Sequence, residues 1–186
     1  MKPRGPLMRE HRLIERMISL MDCEVGRMRS EGDADPRFID RAVDFFRTYA
    51  DRTHHGKEED ILFKVLAAKD MDGHHQHLMA ELVEDHRFGR RVTAELVDAR
   101  NQYAAGDKAA VGLIVDRMRA LKEFYPRHIA KEDRDFFLGS EKYLSPAEQA
   151  EMLEQFAAFD RAMIHEKYEK DVVALEEARL LKPAGL

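Results

Sequence analysis

Only one cysteine, Cys23, stands in the whole chain, which excludes an internal disulfide, a CxxC redox pair and an all-thiolate metal site. A reducing cytoplasm is the compartment that fits. No run of eighteen apolar residues occurs, and none of signal-peptide length follows the basic start MKPRGPLMREHRL, so a soluble, unexported protein without a membrane span is expected. A basic tract is missing too: 31 Lys and Arg are interspersed with 36 Asp and Glu for a formal charge of -5, which gives a phosphate backbone nothing to grip. Nucleic acid is therefore not an expected partner. Strand signals are scarce, and no Glu-x-x-His spacing of the ferritin-like di-iron class occurs.

What is present is helical period. With 186 residues and 44% hydrophobic content, the chain can bury one sizeable core. Leu7, His11, Ile14, Ile18, Met21, Val25 and Met28 form one stripe on a first helix, ended by SEGDAD. Asp35-Pro36 starts a second helix to about Lys69, with the aspartate as cap and the proline where no donor is missed. A third runs from Asp72-Gly73 to about Ala105. A fourth carries Ile114, Met118, Leu121, Tyr125, His128 and Glu132 on its inner face, with a kink predicted at Pro126. Short connections predict an all-α, up-down-up-down antiparallel four-helix bundle over residues 1–140. Ser145-Pro146-Ala147-Glu148 is a capping-box start for a further C-terminal helix, within residues 141–186, reaching about Leu181 and packing on the same domain. Its Phe156, Phe159, Met163 and Ile164 would cover the bundle or a second copy. Methionine-rich helix 1 and this C-terminal helix are the surfaces expected to support a homodimer.

Two helical hairpins repeat one another. Glu10-His11-Arg12 precedes His54 and Glu58 in HHGKEEDILF; Asp85-His86-Arg87 precedes His128 and Glu132 in HIAKEDRDFF. His11 and His54 are 43 residues apart, and His86 and His128 are 42 apart. A histidine and a glutamate four apart lie one above the other on a helix, so both reach a common point. Any one of these residues has a plain explanation: a histidine as a hydrogen-bonded core residue, a glutamate as solvated or paired with Arg12 or Arg87. Their coincidence on interior stripes points to metal, because an unpaired buried carboxylate costs several kcal/mol, an order-of-magnitude figure.

The donor set His11, His54, Glu58, His86, His128 and Glu132 exceeds what one tetrahedral zinc uses. It predicts two metals bridged by the glutamates. Imidazole with carboxylate suits iron or manganese, and iron where histidine predominates, so the expected cofactor is two iron ions with a bridging oxide or hydroxide. His55 sits about 100° round the helix from His54. It is either a seventh ligand at the pocket edge or a hydrogen-bonding neighbour. In both cases a position stays open for dioxygen, nitric oxide or peroxide. His74, His75 and His77 in DGHHQH are expected in solvent, and His165 is expected to be structural or exposed. Tyr49 and Tyr125 either face the pocket or pack in the core. The Phe45-Phe46, Phe63 and Phe136-Phe137 groups are expected to wall off the centre.

These residues resemble the hemerythrin-like, HHE cation-binding family, whose H, HxxxE, H, HxxxE pattern is matched by His11, His54 with Glu58, His86, and His128 with Glu132. The resemblance covers about residues 7 to 138 and includes EHRLIERM and HHGKEEDILF. The oxygen-carrying invertebrate hemerythrins differ, because Leu82 and Arg90 stand four residues either side of His86, where those proteins have a second histidine nearby. Their second pair is HxxxxD, a spacing that Asp133 offers here beside Glu132. The resemblance is closer to bacterial HHE proteins, and implies oxygen or nitric oxide sensing, iron handling, repair of iron centres or peroxide breakdown. Apart from the ligands, no dedicated acid–base residue for an enzyme stands out. Pairing His55 with Glu59 is an alternative register, but the repeat favours His54 with Glu58.

Overall fold

A computed structural model describes residues 2–160 and 162–180, the side chains of residues 162–166 and 180 excepted. Among the described residues every regular element is helical. α1 (Arg4–Glu31) ends at Gly32, whose φ of 68° is the left-handed conformation that glycine accepts without penalty. α2 (Pro36–Asp44) begins where the Asp35 carboxylate accepts from the backbone N–H groups of Arg37 and Phe38. The chain then changes winding. Phe45–His55 and Glu58–Phe63 are π-helical, with i→i+5 bonds, before α3 (Lys64–Ala67). α4 (Gly73–Ala104) is capped by Asp72, which accepts from the His75 N–H. α5 (Ala110–Ala130) contains Pro126 and passes into a π-helical segment at Lys131–Phe136 and then α6 (Phe137–Ser140). The departure from α winding thus comes after His128, not before it.

The C-terminal part differs from the single helix expected. The Ser145–Glu148 capping box forms, but α7 (Pro146–Phe159) ends at Asp160, whose backbone is extended, and α8 (Ala162–Leu180) follows. No proline or glycine marks this break; tertiary contacts make it, because the Asp160 carboxylate accepts from the Lys57 ammonium at 2.7 Å. Met163, Ile164 and His165 lie among side chains outside the description. Phe156 is buried. Met17, Met21 and Met28 of α1 are buried in the core too. No described helix is long and apolar enough to cross a membrane.

The apolar residues form two clusters with a polar layer between them. One holds Leu13 to Met28 of α1, Ile39 to Ala50, Val92 to Tyr103 of α4, and Ala110 to Ile129 of α5. The other holds Leu7, Ile61 to Leu66, Leu78 and Leu82, and Phe136 with Phe137. His11, His54 and His86 each fall between the two along the chain and His128 stands at the end of the first, at the level where the four long segments change from one cluster to the other.

The end of this arrangement near α6 depends on Gly139. A Cβ there would collide with Nε2 of His75, a buried ring pinned by Asp72 at 2.8 Å. Gly139→Ala is therefore expected to lower stability by about 1–3 kcal/mol, since the ring must abandon Asp72 to make room. Urea unfolding at unchanged m-value checks this. His75 is thus not solvated as its neighbours His74 and His77 are.

Candidate metal centre

The site is assembled from four helical segments, each contributing a turn that carries both an imidazole and an acid. His11, His54, Glu58 and Glu132 bring ligand atoms within 4.8 Å of one another, and His55, His86 and His128 do the same. All seven are buried. The two groups are not separate sites, because the glutamates lie between them. Glu58 has Oε1 3.5 Å from His54 Nε2 and Oε2 3.3 Å from His86 Nε2. Glu132 has Oε2 3.1 Å from His11 Nε2 and 3.4 Å from His128 Nε2, and Oε1 3.5 Å from His86 Nε2. All of these separations exceed the roughly 2.7–2.9 Å of a charge-assisted hydrogen bond. Neither Arg12 nor Arg87 reaches these carboxylates: Arg12 pairs with Glu15 and Asp133, and Arg87 with Glu84.

The winding of the second segment places the adjacent pair His54 and His55. A π turn takes more residues than an α turn, so successive side chains diverge by less than about 100°. Both rings can then point inward. Thr53 reinforces this winding by donating its hydroxyl to the Thr48 carbonyl, five residues back, at 2.7 Å. His55 stacks on His86 with centroids 3.9 Å apart, and its Nε2 is buried without a hydrogen-bond partner. Burial first, then the neighbouring imidazoles of His86 and His128, hold its pKa well below the usual value, so the ring is neutral. His55 therefore belongs to the inner group, not the pocket edge.

Behind each inward imidazole stands a carboxylate. His11 Nδ1 meets Asp133 at 2.7 Å, His54 Nδ1 meets Glu10 at 2.7 Å, and His86 Nδ1 meets Glu59 at 2.6 Å. His55 Nδ1 meets Asp51 and His128 Nδ1 meets Asp85, both at 3.3 Å. An ionised carboxylate only accepts, so each Nδ1 donates, and in a neutral ring this leaves Nε2 as the nitrogen with a lone pair for the interior. Carboxylates in this position orient metal-binding histidines and raise their basicity. Each carboxylate meets a cation, with Arg90 serving two: Lys57 donates to Glu10, Arg12 to Asp133 at 2.5 Å, Arg90 to Asp51 and Glu59 at 2.7 and 2.8 Å, and Lys131 to Asp85 at 2.9 Å.

The orienting role of these acids was not predicted, yet for four of them the repeat contained the signal. Glu10 and Asp85 each precede a histidine, and Glu59 and Asp133 each follow a glutamate. Within a hairpin the first acid takes the second histidine: Glu10 with His54, Asp85 with His128. Between hairpins the second acid takes the first histidine: Asp133 with His11, Glu59 with His86. Glu59 and Asp133 thus stand behind His86 and His11, and neither joins the two groups of inward ligand atoms. The aromatic walls repeat too, Phe137 stacking on His11 and Phe63 on His86, both at 5.9 Å. Phe45 and Phe46 pack instead with Tyr49 and Tyr125 in the neighbouring cluster. Tyr125 is a core residue, its ring 6.5 Å from His128, and Tyr49 lines a separate cavity of about 720 Å³ beside α7.

The metal-free chemistry of the centre tests whether a cation fits. His11 and His54 face each other Nε2 to Nε2 at 2.9 Å, two lone pairs directed together if both rings donate through Nδ1. Both oxygens of Glu58 and of Glu132 are buried without a hydrogen-bond partner. Such an arrangement is costly unless positive charge sits at its middle. Without metal, protons take that place. Burial opposes charge on His11, but Asp133 and Glu132 outweigh it and raise its pKa to about 10; His86 is raised likewise against burial by Glu132, Glu58 and Glu59. Burial similarly opposes ionisation of Glu132, but His128, His11 and His86 prevail and hold its pKa well below the usual value. The residues fit a cation.

Fold and site define a helical protein with a buried histidine–glutamate cluster of metal-binding type. The chain belongs to the hemerythrin HHE cation-binding domain family, whose model matches residues 4–138. It is also 24% identical over 150 residues to uncharacterised proteins of Mycobacterium tuberculosis and Mycobacterium bovis, covering 81% of this chain and 58% of theirs. The chain thus spans less than two thirds of the length of these relatives. No solved structure matches it.

Proposed function

We propose that this chain is a non-haem di-iron protein that binds dioxygen, nitric oxide or peroxide at a vacant iron position, in sensing, storage or detoxification. The observation that carries this reading is the placement of Glu58 and Glu132, unpartnered and buried, between two groups of imidazoles. His11 and His54 would hold one ion and His55, His86 and His128 the other, with both glutamates shared. The halves are unequal because Ile129 occupies the place in the repeat where His55 stands. With one histidine fewer, the His11–His54 side would be the one with room for a further ligand. Iron, when bound, supplies reducing electrons and that position. The chain's own residues do the rest: the carboxylates behind each ring keep Nε2 available, and Phe63, Phe137 and Phe124, which stacks on His128 at 5.1 Å, exclude water.

The order of apolar clusters along the chain supports an up-down-up-down antiparallel arrangement over residues 1–140, because α1 and α4 run from one cluster to the other and the second and fourth segments run back. Two irons per chain are expected on metal analysis of protein purified without added chelator. Stopped-flow spectra of the reduced protein mixed with oxygen or peroxide then separate reversible binding, in which the reduced spectrum returns on deoxygenation, from turnover. Protein that takes up no iron, or one ion that leaves Glu58 and Glu132 unaffected, would sink the reading.

A further inference from the structure

α7 lies beyond the residues that the family model matches, and its end packs on the two residues separating the His54–His55 pair from Glu58. The Phe159 ring lies 3.0 Å from where a Cβ at Gly56 would stand, a close approach that glycine permits. The next residue, Lys57, is fully buried. Its ammonium lies 5.8 Å from the centroid of the Phe156 ring, donates to Asp160 at 2.7 Å, and donates also to Glu10. Glu10 in turn accepts from His54 Nδ1. An unbroken chain of charged groups therefore runs from the end of α7 to one imidazole of the centre.

The other half of the repeat has a counterpart with different surroundings. Lys131 lies 3.4 Å from Glu81 and 2.9 Å from Asp85, which meets His128 Nδ1 at 3.3 Å. That outer acid comes from α4, within the same hairpin, and the Lys131 side chain is 26% exposed where that of Lys57 is 0%. Charges shielded from water interact more strongly than solvated ones, so removing an acid matters more in the less exposed chain, where Asp160 is 16% exposed against 43% for Glu81. A buried ammonium that loses one of its two carboxylates pulls harder on the one that remains.

The geometry points to Asp160 as a positioning residue for His54: acting through Lys57 and Glu10, it sets the orientation of a ring it does not touch. The His11–His54 half of the centre thereby depends on the C-terminal segment, while the His86–His128 half does not. This inference rests on the dinuclear reading above.

The test titrates metal-free full-length protein with cobalt(II), using chelator competition, and records melting temperature with and without cobalt. Wild type should bind two equivalents. Asp160→Asn should keep one at wild-type affinity and bind the other about tenfold more weakly, the lower range for groups outside the ligand set. Glu81→Gln, the same change in the solvated counterpart, should bind both as wild type does. The inference is overturned if Asp160→Asn binds both ions like wild type, if Glu81→Gln weakens binding equally, or if Asp160→Asn lowers only the metal-free melting temperature. Wild type that takes up no cobalt would overturn the dinuclear reading itself. Two equivalents in both wild type and variant, at equal affinities, would overturn this inference alone.

Discussion

Glu58→Ala and Glu132→Ala should each abolish the metal pair, not merely one member of it. Each carboxylate presents oxygens to imidazoles from both hairpins, so in the proposed dinuclear centre one truncation would withdraw donors from both ions. Groups that only orient a ligand cost about 10–100-fold in affinity when removed. Loss of a shared ligand should exceed about 100-fold, taking iron from two per chain to a trace in elemental analysis. The exposed histidines supply the control: His74→Ala with His77→Ala should leave the iron content unchanged. Retention of two irons by Glu58→Ala would show that the carboxylate is not shared.

The second large effect is on stability. Metal binds the folded centre and not the dispersed side chains of the unfolded chain, which stabilises the fold by about 4 kcal/mol when free metal is a thousandfold above the dissociation constant. In a chain of this size each kcal/mol moves the melting temperature by about 2–4 °C. Removing metal with a chelator should therefore lower it by about 8–16 °C. Calorimetry of loaded and stripped protein checks this, and coincident transitions would refute it.

The pH dependence of that gap has a definite sign. Without metal, the interactions of protonated His11 with Asp133 and Glu132 are fully present below the unfolded value near 6.5 and are lost as pH rises through about 10. Metal competes with those protons, so loading releases them. The difference between loaded and stripped protein should widen from pH 6 to pH 9.

The convergence of these histidines and glutamates was legible because their spacing is local. His54 with Glu58 and His128 with Glu132 lie one helical turn apart, and the interior stripes of α1 and α4 aim His11 and His86 at the same level. The orienting acids were written beside them but remained unread, since adjacency on a helix does not reveal which ring an acid will meet. Asp133 reaches His11 across 122 residues, and Lys57 reaches Asp160 across 103. The π-helical winding that turns His55 inward was equally hidden. Apolar periodicity reports an average turn and not the local choice between i→i+4 and i→i+5 bonds.

The sequence by itself determined the all-helical class, the doubled histidine–glutamate pattern and the need for a cation among buried carboxylates, all of which follow from turn geometry and the cost of burying charge. Tertiary structure alone decided that His55 joins the inner group, that each imidazole is backed by a particular acid, and that the C-terminal segment breaks at Asp160 to meet Lys57. Those outcomes depend on distances between segments far apart in the chain, which are set only when the two apolar clusters pack and close the polar layer between them.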